Sequence, residues 1–168
     1  DILGLVQIAA SNIEAICKER KIKIEIEKPS ISTEIICDKF KIDQVIRNLL
    51  SNAVKFNPEN RPIYIAFKSD ELSQNWKSVL NTKVSALTVS VKDGGIGIPK
   101  NELKSVFDKF VQSSKTKTGA GGTGLGLSIC REIIKAHKGI IWAENNPESG
   151  AKFSFMLPYE QENIPTSG

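Results

Sequence analysis

The chain lacks several features that would assign it to a class at once. No apolar run in its 168 residues approaches the roughly 20 residues that a membrane-spanning helix needs. Its 23 Lys and Arg residues are scattered and its net charge is only +4, so the charge pattern does not indicate nucleic-acid binding. The chain also opens without a basic stretch, which argues against a signal peptide.

Cysteine and histidine are scarce, which argues against a metal or disulfide scaffold. The three cysteines, Cys17, Cys37 and Cys130, are odd in number and lack the paired spacing of a zinc site. They are therefore expected to be reduced thiols in the core of a cytosolic protein. His137 is the single histidine, and Lys138-Gly139 after it resembles a helix C-cap, which favours a structural role for its ring.

Hydrophobic periodicity predicts one domain in which helices and strands alternate irregularly. Such a pattern favours an α/β sandwich with a mixed sheet over a doubly wound parallel sheet. Helices are predicted at 3–20, 38–56, 99–107 and 125–137. Strands are predicted at 22–28, 33–37, 62–68, 86–92, 139–145 and 151–157. The polar stretch 69–85 is predicted to be a surface loop, and the glycine-rich stretch 111–124 a lid.

One predicted helix carries neutral amides where charged residues are usual. Its apolar face comprises Ile42, Val45, Ile46, Leu49, Ala53 and Phe56. An adjacent stripe comprises Gln44, Asn48, Asn52 and Lys55. A solvated face is the ordinary explanation, but Asn costs roughly 0.7 kcal/mol relative to Ala in a helix. Two aligned asparagines favour a ligand instead, because a carboxamide oxygen can hold Mg²⁺ beside nucleotide phosphates and a nearby ammonium can meet a phosphate.

Two glycine-rich segments adjoin predicted elements. The segment 93–98, Asp-Gly-Gly-Ile-Gly-Ile, follows a strand, where a carboxylate can accept from an exocyclic amine and glycines let the backbone approach a flat base. The segment 119–127 runs directly into an apolar helix whose N-terminus suits phosphate. It lacks the lysine of a Walker motif, and no strand precedes its G-x-G-x-x-G match. Taken alone, each segment also fits a simple turn or linker.

In this order the segments resemble the GHKL ATPase superfamily of gyrase, Hsp90, histidine kinases and MutL, and within it the histidine kinases. Four motifs carry the resemblance: Asn48–Ala53, Asp93–Gly97, Phe107–Phe110 and Gly122–Leu127. It covers residues 1–158, expected to be one catalytic ATP-binding domain, while 159–168 are expected to be a disordered tail. It implies a Bergerat fold, a two-layer α/β sandwich whose mixed, mostly antiparallel sheet of about five strands packs against three helices beside a mobile ATP lid.

The resemblance also implies the ligands, ATP and Mg²⁺, and the residues that hold them. Asn52 is the expected metal ligand, and Asn48 and Lys55 are the expected catalytic residues at the phosphates. Apart from the resemblance, Gln44 lies one turn before Asn48 and is expected to be catalytic by orienting the acceptor. Asp93 is expected to accept from the adenine amino group. The remaining nucleotide contacts are expected from Gly95, Gly97, Ile98, Thr123, Gly124, Leu125, Gly126 and Leu127. The last four of these would offer backbone N–H groups to the phosphates.

The sequence departs from the family pattern near the lid and the base. Phe107 and Phe110 match the family residues that anchor the root of the lid, where core packing is also expected. Ala151 stands where Thr or Ser is common, which removes one hydroxyl near the nucleotide. Gln112 stands where many members have Arg, a variant that resembles hybrid kinases with attached receiver domains.

Asn48 bears on what accepts the phosphate. The ATP-hydrolysing relatives carry Glu at this position as a general base for water, and an amide cannot take a proton at neutral pH. A neutral imidazole attacks phosphorus without a separate strong base, so the domain need only position ATP and neutralise charge. The resemblance therefore implies transfer of the γ-phosphate to a histidine on a dimerisation helix before residue 1, rather than to His137.

The expected partners are that dimerisation and histidine-phosphotransfer segment of the same protein, and a receiver domain or response regulator, without nucleic acid. The domain is expected to be cytoplasmic and monomeric, within a homodimeric parent that is either soluble or anchored in the cytoplasmic membrane. Because the chain opens on Asp1 rather than Met, it is expected to be part of a longer protein. Two alternatives stay open, an anti-sigma-type kinase acting on Ser or Thr and a non-catalytic module that nucleotide binding gates.

Overall fold

The computed structural model describes residues 1–76, 80–111, 114 and 124–160, without the side chains of 73–76 and 80–82. Its helices are α1 Ile2–Asn12, α2 Glu14–Glu19, α3 Lys39–Phe56 and α4 Gly126–Ala136. Its strands are β1 Ile24–Ile26, β2 Ile63–Trp76, β3 Leu80–Lys92, β4 Ile140–Asn145 and β5 Ala151–Pro158. Within these ranges, no helix has the length and apolar character to cross a membrane.

The strands form one mixed sheet in the order β1-β2-β3-β5-β4. β1 runs parallel to β2, and the other neighbouring pairs are antiparallel. Because side chains alternate along a strand, one face of the sheet is apolar and packs on the helices. Its central strands contribute Leu87, Val89, Val91, Phe153, Phe155 and Leu157, all buried. The predicted two-layer α/β sandwich is confirmed.

α3 is the central helix, packed against α1, α4 and β3. The Asp38 side chain caps its N-terminus by accepting from the Lys41 N–H at 3.1 Å. It ends before Asn57-Pro58, because proline has no N–H to continue the helix. Its buried residues are Ile42, Val45, Ile46, Leu49, Leu50, Ala53 and Val54. The predicted apolar face is confirmed except for Phe56, which is half-buried.

The N-terminal third differs from the prediction in two places. The expected helix 3–20 is two helices, because the backbone at Ile13 leaves helical geometry, with φ −109° and ψ 10°. The expected strand at 33–37 is not a strand. The Thr33 carbonyl instead accepts from the Ile2 N–H at 2.9 Å, and the Thr33 hydroxyl donates to Asp1 Oδ1 at 2.6 Å. This segment therefore holds the start of α1 rather than a sheet edge.

The predicted loop at 69–85 is wrong, since β2 and β3 continue through it. Their antiparallel pairing runs without a break from Tyr64 opposite Lys92 to Trp76 opposite Leu80. The cross-strand hydrogen bonds satisfy the backbone whatever the side chains are, so a polar sequence can pair as an extended hairpin. Among the described side chains, its apolar support includes a small cluster in which Leu72 packs with Ala86 and Met156.

The predicted helix at 99–107 is also wrong, because the segment forms two 3-10 turns, Lys100–Glu102 and Ser105–Phe107. The second turn is anchored by Phe107, which is buried and meets the Phe153 ring edge-on with centroids 6.2 Å apart. Packing of this one aromatic side chain therefore competes with continuation of an α-helix through the segment.

The three cysteines are free thiols, as expected. Cys17 and Cys130 are buried, whereas Cys37 is half-buried and lies at the margin of the core. Burial raises the pKa of each thiol, that of Cys130 to about 11. All three are therefore protonated at neutral pH, which makes them poor nucleophiles.

Candidate functional site

The amide stripe of α3 lies at the border of the core. Gln44, Asn48, Asn52 and Lys55 are all half-buried, whereas Lys41, Arg47 and Ser51 on the outer side are exposed. Among the described residues, the side chains of Gln44 and Asn52 have no hydrogen-bond partner. A solvated face would expose these amides, so their partial burial with open hydrogen-bonding capacity favours a ligand site.

One end of the stripe is closed by α4. The Asn48 Nδ2 donates to the Gly126 carbonyl at 3.4 Å and to the Cys130 sulfur at 3.5 Å. A methyl group at Gly126 would lie 3.6 Å from Asn48 Oδ1, so the start of α4 packs directly on Asn48. These contacts aim the amide nitrogen of Asn48 at α4.

The N-terminus of α4 has no side-chain cap. Leu125 is the N-cap residue and makes no capping hydrogen bond, and Leu125, Gly126 and Leu127 are half-buried. Gly124, just before them, has a φ of +69°, a conformation that favours glycine. Because the first backbone N–H groups of a helix lack partners within it, this end can bind phosphate.

Asp93, at the end of β3, is buried at 5% exposure. Its Oδ1 accepts from the Gly95 N–H at 2.8 Å and from the Ala151 N–H at 3.0 Å. Burial raises its pKa above the usual value, although these two hydrogen bonds oppose the shift. In the described part of the chain, Oδ2 has no donor, so one buried carboxylate oxygen is available to a ligand amine.

Glycines allow the backbone to close around Asp93. A methyl group at Gly95 would lie 2.5 Å from the Phe56 carbonyl oxygen, and one at Gly150 would lie 2.1 Å from the Asp93 carbonyl oxygen. Gly150 also has a φ of +86°. The Ala151 N–H hydrogen-bonds Asp93 at the position where the hydroxyl of other family members was expected, so this residue contributes through its backbone.

Three asparagines around the base end were missed by the sequence analysis. Asn145 pairs with both backbone groups of Ile98, accepting from its N–H at 2.8 Å and donating to its carbonyl at 2.6 Å. Asn146 donates to the Asp93 carbonyl at 2.8 Å, and Asn57 accepts from the Gly94 N–H at 2.7 Å. Asn57-Pro58 was predictable only as the end of a helix and residue 145 only as the end of a strand, because the hydrogen-bond partners of these side chains are distant in the chain.

The two ends of the site lie on one helix. Gly126 contacts α3 at Asn48, and Gly94 contacts the residue after the end of α3, Asn57. Nine residues of helix at 1.5 Å each separate these contacts by about 13 Å. Asn52 and Lys55 lie between them, with Lys55 Nζ 5.1 Å from the centre of the Phe56 ring. The arrangement suits an elongated ligand with a base at one end and phosphates at the other.

The region of the predicted lid is only partly described. Thr123 and Gln112 lie outside the described residues. Phe110 is 75% exposed with a φ of +62°, so the expectation that it packs in the core is wrong. Its N–H donates to the Gly124 carbonyl at 3.1 Å, so Phe110 makes this contact through its backbone and not through its ring.

His137 links two helices through both ring nitrogens. Nε2 accepts from the Asp38 N–H at 3.0 Å, and Nδ1 lies 2.8 Å from the Ile133 carbonyl oxygen. Because the amide N–H can only donate, Nε2 must carry the lone pair and Nδ1 the proton that it donates to Ile133. The lone pair that could attack a phosphate is therefore engaged in the fold.

Comparison with known proteins agrees with this geometry. The family described as "Histidine kinase-, DNA gyrase B-, and HSP90-like ATPase" matches residues 37–161. Sensor histidine kinase WalK of Bacillus subtilis (strain 168) is 38% identical over 146 residues, covering 86% of this chain and 22% of WalK. The chain thus spans about a fifth of the length of this relative.

Solved structures give the same result for the fold. The catalytic domain of histidine kinase ThkA superimposes with a TM-score of 0.73 at 29% identity, covering 95% of each chain. ThkA in complex with response regulator protein TrrA matches with a TM-score of 0.72 at 28% identity, covering 96% of this chain and 41% of that one. The chain belongs to the histidine kinase-, DNA gyrase B- and HSP90-like ATPase family and has the fold of a histidine kinase catalytic domain.

Proposed function

We propose that this chain binds Mg-ATP and, as the catalytic domain of a sensor histidine kinase, transfers the γ-phosphate to a histidine on a dimerisation segment of the same protein. One observation carries the proposal. A buried Asp93 carboxylate oxygen has no donor among the described residues and lies in the turn that contacts the C-terminal end of α3, while the uncapped helix start at Gly126 contacts the middle of the same amide-bearing helix at Asn48.

The base end suits adenine. Asp93 Oδ2 is an acceptor for the exocyclic amine, and Oδ1 is already held by two backbone N–H groups, so the carboxylate cannot turn away. Because Gly95 has no Cβ, its backbone can lie close to the Phe56 carbonyl oxygen. Gly97 has a φ of +68°. Ile98 is buried and its backbone is fixed by Asn145, so its side chain would offer the base an apolar contact.

The phosphate end suits a triphosphate and one magnesium ion. Mg²⁺ accepts a neutral carboxamide oxygen beside water and phosphate oxygens, and when bound it neutralises phosphate charge. Asn52 is the residue that would hold it, since its half-buried amide lies between the two ends and has no partner among the described residues. Lys55 supplies a further positive charge one turn onward. The N–H groups of Gly124, Leu125, Gly126 and Leu127, with Thr123 before them, would complete the phosphate contacts.

The acceptor is a histidine rather than water. Asn48, at the phosphate end, cannot accept a proton, so it cannot activate water as a general base. An imidazole nitrogen brings its own lone pair, and the chain then only has to hold the phosphate in line and exclude water. Gln44 lies one turn before Asn48, and its amide, which no other described residue engages, would orient the incoming imidazole. The relatives are named sensor kinases, which favours this transfer over transfer to Ser or Thr.

The partners are inferred from the same function. The dimerisation segment that carries the acceptor would make the parent a homodimer, while this domain alone would be a monomer in the cytoplasm. ThkA forms a complex with a response regulator, which supports a receiver domain or response regulator as the next acceptor for this chain. Residues 1–158 would be the catalytic domain, and 159–168 a tail.

The test separates binding from transfer. Calorimetry should show magnesium-dependent binding of ATP to the unchanged chain and none to Asp93→Ala. With labelled ATP, the chain alone should stay unlabelled, because the His137 Nε2 is engaged by the Asp38 N–H. Adding the dimerisation segment should give an acid-labile, alkali-stable label on that segment. Acid-stable label on Ser or Thr, or binding without any transfer, would replace the proposal by one of the two alternatives.

A further inference from the structure

We infer that Asn57 is a positioning residue that sets which base the site accepts, by holding the turn that carries Asp93. The inference rests on the proposed function, since base selectivity requires that a nucleotide bind. Asn57 comes directly after the last residue of α3 and is 1% exposed, although Pro58, Glu59 and Asn60 after it are exposed. A carboxamide buried to this degree at a helix end needs partners, and it has them.

Every hydrogen-bonding group of the Asn57 side chain reaches a backbone atom. Oδ1 accepts from the Gly94 N–H at 2.7 Å, while Nδ2 donates to the Arg61 carbonyl at 2.6 Å and the Pro58 carbonyl at 3.1 Å. The side chain thereby ties the end of α3 to the turn after β3, and folds the 57–61 loop around the junction. No other atom of the Asn57 side chain is left to bind a ligand, so its effect on the site is indirect.

The position of Gly94 contributes to that of the base-reading carboxylate. Gly94 lies between Asp93, whose Oδ2 is the open acceptor, and Gly95, whose N–H holds Oδ1 at 2.8 Å. If the Gly94 N–H loses its acceptor, the Gly95 N–H that follows it can shift away from Oδ1, which leaves only the Ala151 N–H, at 3.0 Å, to hold the Asp93 carboxylate in place. The turn is supported from its other side by Asn146, which donates to the Asp93 carbonyl at 2.8 Å. Loss of Asn57 would therefore loosen the turn on the α3 side.

The α3 end of this link is itself fixed. Arg20, the residue after α2, donates to the Asn57 carbonyl at 2.7 Å and to the Val54 carbonyl. The backbone of Asn57 is therefore held independently of its side chain. Changing the side chain should disturb the Asp93 turn while leaving the end of α3 in place, which is what allows a selective effect.

The test compares ATP with inosine triphosphate, which carries a carbonyl oxygen where adenine carries the amine. Asn57→Ala should weaken ATP binding by about tenfold and inosine triphosphate binding by less than about threefold, so the selectivity ratio falls. Asn57→Asp retains an oxygen for the Gly94 N–H but loses the two donors. It should restore most of the ratio, although it places a charge at a buried position and is less stable.

A stability control separates positioning from general loosening. Met156→Ala truncates a buried side chain in the small cluster of Leu72 and Ala86, on the sheet face away from the helices. It should lower the melting temperature without changing the ratio. If Asn57→Ala is unfolded in buffer, the same titration with trimethylamine N-oxide, which favours the folded state, gives the ratio.

A second measurement tests the contact without nucleotide. In the unchanged chain, the Gly94 amide proton should exchange slowly with solvent, and Asn57→Ala should speed that exchange more than it speeds exchange in β5. An unchanged ratio in Asn57→Ala, or a Gly94 proton equally protected with and without the Asn57 amide, would overturn the inference alone. Failure of the unchanged chain to bind either nucleotide would instead overturn the proposed function.

Discussion

Replacing Asp93 by asparagine should stabilise the fold at neutral pH while weakening ATP binding. The structure fixes how the new amide sits. Its oxygen must take the place of Oδ1, which accepts from the Gly95 and Ala151 N–H groups at 2.8 Å and 3.0 Å. The amide nitrogen then takes the place of Oδ2 and points a donor at the ligand. The variant keeps the internal hydrogen bonds and removes a buried negative charge.

The stability difference should depend on pH. Burial raises the pKa of Asp93 above 3.8, so in the pH range between 3.8 and the folded-state pKa the folded chain binds more protons than the unfolded one. The unfolding free energy of the unchanged chain therefore falls as pH rises through that range, at a rate of at most about 1.4 kcal/mol per pH unit. The amide of the Asp93→Asn variant does not titrate, so its advantage should grow over this range and then stay constant.

Asp93→Asn should weaken ATP binding, although it stabilises the fold. A hydrogen bond to a charged acceptor contributes about 1.5–3 kcal/mol, so losing it should weaken ATP binding about ten- to a hundredfold. An amide donor at this place should instead pair with the carbonyl oxygen of inosine triphosphate. The preference between the two nucleotides should therefore shift towards inosine triphosphate in the variant.

Urea unfolding followed by circular dichroism, from about pH 4 to about pH 8, would give the stability difference, and calorimetry the two affinities. Glu71→Gln is the charge control, since Glu71 is an exposed carboxylate that pairs with Lys83 at 2.9 Å on the hairpin. It should leave nucleotide selectivity unchanged. If Asp93→Asn were less stable than the parent by the same amount at every pH, the assignment of a desolvated carboxylate would be refuted.

Two further changes test the frame around the site. Gly150→Ala should lower stability by at least about 1–3 kcal/mol from its backbone conformation alone, because φ is +86°, and further because the methyl group meets the Asp93 carbonyl at 2.1 Å. Thermal unfolding measures this, with Gly4→Ala in α1 as the control, because Gly4 has no positive φ and its added methyl group would meet the end of the Asp1 side chain at 3.2 Å rather than a backbone carbonyl. Arg20→Ala should cost about 1.5–3 kcal/mol in urea unfolding, because its guanidinium caps the carbonyls at the end of α3. If Arg20→Lys, which cannot bridge the carbonyls, restored all of that stability, the cap would be excluded.

Much of the fold was predictable because its signals are local. The period of Ile42 to Ala53, the Asp38 cap and the proline after Asn57 define α3, and each acts within a few residues of itself. The same holds for α4, predicted at 125–137 and found at Gly126–Ala136. The hairpin at 69–85 was not predictable in this way, since its stability comes from pairing between strands whose side chains are largely polar.

In the candidate site, too, some residues could be recognised from local sequence and others only from the fold. Asn48 and Asn52 stood out because asparagine is a poor helix former in mid-helix, Lys55 because it follows them by one turn, and Asp93 because glycines follow it at the end of a strand. Asn57, Asn145 and Asn146 did not, because an asparagine beside a turn is ordinary. Only the fold shows that these three amides hold the Asp93 turn and the Ile98 backbone from positions up to 53 residues away in the chain.

By itself, the sequence determined which chemical groups are present and in what order. The order comprises an amide-bearing helix, a carboxylate followed by glycines and a glycine-opened helix. The tertiary structure decided which atoms remain available. Asp93 Oδ2 is open to a ligand because backbone N–H groups from Gly95 and Ala151 occupy Oδ1, and the His137 Nε2 is occupied because Asp38 lies against it. Such assignments depend on contacts between distant segments, and these form only when the chain packs.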